Sequence, residues 1–128
     1  LTSNKAQAIH WAKLVARRRS ATQAILNCYA FDKEKIPSLN ILQFHEAGKA
    51  WLEFIVANRR MQSVAAYDLI IGPVAKDATL PVIDDYIDGR YTQEEAIRRL
   101  LPQRLTDQYA FLTPTALACL AFTGSEIL

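Results

Sequence analysis

The chain has 128 residues, 51% of them hydrophobic, and a net charge of +2. That length suits one domain with one core, and the apolar content excludes an intrinsically disordered protein. The small charge excess neither demands nor forbids a nucleic-acid partner. The two cysteines, Cys28 and Cys119, form no C-x-x-C pair and no Cys/His cluster. This argues for a reducing compartment and against structural zinc.

In chain order, Ser3 is the expected N-cap of a helix over about Asn4–Arg19, with Ala8, Trp11, Ala12 and Val15 as its buried stripe. Arg17, Arg18 and Arg19 close it, where positive charge is favourable. A strand follows over about Thr22–Phe31. Its two alternating sets are apolar enough to expect both faces to be covered. Asp32–Lys35 reads as a polar turn closed by Pro37, and Leu39–Phe44 as a second strand. Glu46 to about Arg60 is the second helix, with Ala47, Ala50, Trp51, Phe54 and Ile55 on one face.

Tyr67–Val74 is a strand broken by Gly72-Pro73. Thr79 is the expected cap of a helix with Pro81 in its first turn and Gly89 at its end. T-x-x-E at Thr92–Glu95 is a capping box for a helix to about Leu101. Asp107–Leu112 is a strand, Thr113 and Pro114 open a short helix, and a last short strand lies near Ala121–Phe122. Strands and helices alternate irregularly and no Gly-rich loop follows a strand. An α+β fold is therefore expected rather than a doubly wound parallel sheet.

Few residue patterns carry chemistry. Asp84–Glu95 mimics a calcium loop, but Tyr86 occupies its third position and Thr92 and Glu95 already explain each other as a cap. His45-Glu46 would need a second histidine where Lys49 stands, so the zinc-protease helix fails. His10 is a boundary residue beside an apolar stripe. Arg17–Arg19, Arg59-Arg60 and Arg98-Arg99 each end a helix, yet could converge on RNA or a phosphate-bearing ligand. No apolar run is long enough to span a membrane and no signal peptide is visible. The cytoplasm is the expected location. Taken singly, Trp11 reads as core and Gln108 as a strand-edge amide.

Four segments give those two residues another meaning. They are FIVANRR (Phe54–Arg60), YDLIIGPVAKD (Tyr67–Asp77), the DGRYTQEEAIRRL corner and DQYAFLTPTALACLAF (Asp107–Phe122). Together they resemble a bacterial family of domains of unknown function, itself related to ADP-ribosyltransferases and found in toxin–antitoxin-like arrangements. The resemblance covers nearly all of the chain. It implies one domain over residues 1–128 with an ADP-ribosyltransferase-like split mixed/antiparallel sheet and flanking helices. It also implies that the first strands, which carry a histidine and a tyrosine of the NAD site, lie upstream of Leu1. On that ground a fragment starting at Leu1 is expected to be catalytically dead.

The same resemblance implies NAD as substrate, no metal, and Trp11 as the aromatic that flanks nicotinamide. It places Gln108 where relatives carry a catalytic glutamate. The expected function is mono-ADP-ribosylation of a bacterial macromolecular target by a toxin-like effector, with a small antitoxin-like protein as a further partner. An amide can accept a hydrogen bond from a ribose hydroxyl but carries no charge to stabilise an oxocarbenium-like ribose. Weak NAD hydrolysis follows. The alternatives are a catalytically degenerate interaction module of the same fold and an RNA-binding protein.

Overall fold

The computed structural model describes residues 1–62, 66–76 and 78–128. Helices and strands alternate irregularly, as an α+β protein requires. The elements are α1 (Lys5–Arg18), β1 (Ile25–Phe31), β2 (Ile41–Gln43), α2 (Lys49–Arg59), β3 (Leu69–Pro73), α3 (Leu80–Ile87), α4 (Gln93–Leu100), β4 (Asp107–Phe111), α5 (Pro114–Leu117) and β5 (Leu120–Ile127). Short 3-10 helices cover Lys33–Ser38 and Leu101–Gln103. The first of them replaces the expected polar turn, with the Asp32 carboxylate accepting from the Glu34 amide.

The strands form two separate sheets, β1-β5 and β2-β3-β4. The first is antiparallel and pairs Ile25 with Ile127 through Phe31 with Leu120. The second is mixed. Asn40 O accepts from Asp68 N and Phe44 N donates to Ile71 O, so the β2–β3 register advances in step. Val74 N donates to Thr106 O and Leu112 N to Asp68 O, so β3 and β4 run in opposite directions.

The chain divides into two compact units. The first comprises Leu1–Ile41, Tyr67–Ile70 and Tyr109–Leu128; the second comprises Leu42–Ala66 and Ile71–Gln108.

The second unit holds the larger apolar cluster: Ala47, Trp51, Leu52, Val56, Ile83, Ala96 and Leu100. Three helices supply most of it. Trp51, Leu52 and Val56 recur on α2, Ile83 comes from α3, and Ala96 and Leu100 from α4. Trp51 is almost wholly enclosed, and its Nε1 donates to the Pro73 carbonyl at 3.0 Å. An indole N–H buried without such a partner would cost as much as a lost hydrogen bond. α2 begins at Lys49 rather than Glu46, with Gly48 as its N-cap. Gly89 follows α3 at φ +79°, a left-handed backbone that glycine adopts without strain.

Local capping differs from expectation in three places. Asn4, not Ser3, caps α1, and its carboxamide accepts from the Gln7 amide at 2.9 Å. The Thr79 hydroxyl does not cap α3. It is fully buried and closes on Lys76, accepting from its amide and donating to its carbonyl. Thr92 Oγ1 accepts from Glu95 N as a capping box requires, but the Glu95 carboxylate turns to Arg98 and Arg99. At α5 the expected cap holds: Thr113 Oγ1 accepts from Ala116 N.

In the first unit, α1 packs on β1, where Ala24 and Leu26 are buried. The expected cover on both faces of β1 is absent. Ile25, Asn27 and Tyr29 are exposed, while Phe31 at the end of the same face meets the Tyr109 and Phe111 rings of β4. β5 is also far longer than the short strand expected near Ala121. It spans Leu120–Ile127, with a register shift opposite Cys28/Tyr29 next to Gly124 at φ +149°. Such a shift is a β-bulge, where one strand carries an extra residue.

Candidate functional site

Within the first unit lies a cleft of about 470 Å³, inside the range of small-molecule sites. Its walls are built by chain segments far apart in sequence. The N-terminal residue lies against β4: Leu1 N donates to Tyr109 O at 3.0 Å, and Tyr109 N donates to Leu1 O at 2.8 Å. That pairing sets Thr2, Ser3 and the start of α1 at one side, with Lys5 and Ala8 facing in. β1 supplies Leu26–Tyr29 and Phe31, and strand alternation on β4 brings in Tyr109 and Phe111.

Phe31 meets both β4 rings edge-on, with centroids 6.5 Å from Tyr109 and 5.6 Å from Phe111. These are favourable aromatic geometries. Lys5 and Lys33 bring positive charge. The Lys5 ammonium is held by Glu126 at 2.9 Å, and that hydrogen bond and the carboxylate charge raise its pKa above the ordinary lysine value. Cys28 is half-buried and free, and Cys119 is buried and free. The cleft is thus aromatic and apolar in its walls, with hydroxyl and ammonium groups among its lining residues.

Neither residue marked by the sequence lines this cleft. Trp11 is 56% exposed on α1, and the Arg18 guanidinium lies 5.8 Å from its ring centroid. It is therefore not the core residue that its helical spacing suggests. Ala8 and Val15 are half-buried, and Trp11 stands at the edge of their stripe. Gln108 is the second residue of β4 and is exposed. Alternation turns it to the opposite face of the strand from Tyr109 and Phe111. Its amide makes no side-chain hydrogen bond among the described residues.

The other patterns resolve into ordinary structure. Asp84 pairs with Arg59, Asp85 with Arg90, and Glu95 with Arg98 and Arg99. Among the described residues no three His, Cys, Asp or Glu side chains gather as a metal site. Asp77, the last residue of the YDLIIGPVAKD segment, lies outside the described residues. No described helix is long and apolar enough to cross a membrane. The Asp68 carboxyl, which accepts from Asn40 N and the Thr113 hydroxyl, is held below its ordinary value by those two bonds.

The family model described as "Protein of unknown function (DUF3990)" matches residues 1–122. The chain belongs to the DUF3990 family. No curated protein and no solved structure matches it. The DUF3990 match takes in Trp11, Gln108 and every residue that lines the cleft, and it stops within β5. The cleft itself was hidden in the sequence because its residues run from Leu1 to Leu120. Its one local signal was the alternation of rings in Y-A-F, which occurs in both β1 and β4.

Proposed function

We propose that this DUF3990 domain is an ADP-ribosyltransferase-like protein that uses NAD as substrate and modifies a bacterial macromolecule, as a toxin-like effector held in check by a small antitoxin-like partner. The observation that carries the reading is the exposure of Trp11. Burying a tryptophan is strongly favourable, so a largely exposed indole on a helix invites a ligand. Its flat face suits nicotinamide. The exposed amide of Gln108 fits the role of accepting from a ribose hydroxyl. NAD supplies the ribosyl group, on which positive charge grows as the bond to nicotinamide breaks. Gln108 answers that charge with a dipole only, so slow turnover is expected.

The test is calorimetric titration of NAD into the full-length protein, beside Trp11→Ala and Gln108→Ala. Binding that weakens in both variants supports the proposal. Equal binding by all three proteins, or no binding to any, overturns it.

A second reading has its own support. On the β1-β5 sheet, Ile25 pairs with Ile127 and Tyr29 with Phe122. All four are at least 44% exposed, and the two rings meet at 5.6 Å. An apolar sheet face of this kind favours a protein-interaction module in which the NAD chemistry has lapsed. Capture of a protein partner without any NAD binding would select it.

A further inference from the structure

Residues 1–31 carry Lys5, Lys13, Arg17, Arg18 and Arg19 and no Asp or Glu; the first carboxylate along the chain is Asp32. The whole chain is only +2, so everything after Phe31 is net negative. The cations are concentrated on α1 and its C-cap. Lys5 is taken by Glu126, but no ion pair holds Lys13, Arg17, Arg18 or Arg19 among the described residues. In the second unit Arg59, Arg90, Arg98 and Arg99 are paired with carboxylates, while Arg60 and Arg104 have no ion pair among the described residues.

Helical spacing sorts the outward side chains of α1 into two rows with the half-buried Leu14 between them. His10, Lys13 and Arg17 form one, and Trp11 and Arg18, two turns apart, form the other. Beside the first row runs a groove of about 390 Å³, lined by Lys13, Ala16, Arg17 and residues 21–24. The helix dipole accounts for cations in the last turn only. Lys13 lies before that turn, and the dipole has no use for an exposed indole.

We infer that the outward face of α1 binds single-stranded nucleic acid. Lys13 and Arg17 neutralise phosphates along the groove, and Trp11, with Arg18 over it, stacks a base. An anionic membrane surface fits less well. The apolar residues Leu14 and Val15 are half-buried, leaving Trp11 without the broad apolar face that an interfacial helix needs. Nucleic-acid binding shares only Trp11 with the NAD reading. Lys13 and Arg17 separate the two.

The test is anisotropy of a labelled oligouridylate of about ten nucleotides with the full-length protein, from about 50 to 200 mM salt. Binding is expected, with log K falling against log salt at about −0.7 per phosphate contacted. The Lys13→Gln/Arg17→Gln variant is expected to bind about tenfold more weakly, with a slope shallower by about 1.4 and NAD binding unchanged. Trp11→Ala is expected to weaken binding and leave the slope alone. No binding at low salt, or equal binding by the double variant, overturns the inference. So does binding to phosphatidylserine vesicles in place of the oligonucleotide.

Discussion

The Thr113 hydroxyl donates a 2.6 Å hydrogen bond to Oδ1 of Asp68, while Oδ2 accepts from Asn40 N at 2.8 Å. One carboxylate thereby joins the residue that caps α5 to the segments leading into β2 and β3. Both donors favour the charged form, so the folded-state pKa lies below its ordinary value of 3.8. The stabilisation is present above that value and is lost as pH falls through it toward the lower folded value. Urea midpoints measured from about pH 6 downward should fall with acid in the natural protein. Asp68→Asn should start lower and show a flatter acid limb. An unaltered limb in the variant would assign the acid sensitivity to other carboxylates.

The two tryptophans should behave as opposites. Trp51 is 2% exposed and Trp11 is 56% exposed. Trp51→Phe leaves the Pro73 carbonyl without its donor and opens a gap in the core, at a cost of about 1–3 kcal/mol in urea unfolding. Trp11→Phe should be near neutral. The fluorescence of the Trp51→Phe protein, which reports Trp11 alone, should be red-shifted and readily quenched by acrylamide. Equal quenching of both indoles would contradict their placement.

Gly89→Ala tests the turn that ends α3. A Cβ there meets nothing within 4 Å, so no steric contact contributes. The φ of +79° alone should cost about 1 kcal/mol, seen as a lowered urea midpoint. An unchanged midpoint would mean that the turn relaxes into another conformation.

Gln108→Glu places a charge at the position that the proposed function gives to the catalytic residue. NAD glycohydrolysis by the full-length protein should rise by about 10²-fold, the scale of a single electrostatic contact to a transition state. No increase, with NAD binding intact, would remove Gln108 from the chemistry.

What the sequence made legible was local. The C-terminal end of α1, the Thr92 and Thr113 caps and the strand that begins at Asp107 are set by residues within a few positions of one another. The misses came from longer range or finer detail. Ser3 lost the cap to Asn4 through a one-residue difference in where the helix begins. Periodicity grouped Trp11 with Ala8, Ala12 and Val15 but could not reveal that β1 leaves the edge of that stripe uncovered. β5 contains Gly124, Ser125 and Glu126, none of them strong strand formers, and it continues through them because β1 lies beside it. The Trp11 and Gln108 assignments came from family likeness rather than from any local pattern.

The pairing of Ile25 with Ile127 also governs when the chain can fold. β1 leaves the ribosome about a hundred residues before its partner strand is made. The second unit draws its apolar cluster from Ala47 to Leu100, a stretch complete before β5 exists. During synthesis β1 therefore waits with an unpaired edge, the state in which strands are most open to capture by another chain. On refolding, closure of this long loop is the slow step to expect, and it is the step that a bound partner could hasten.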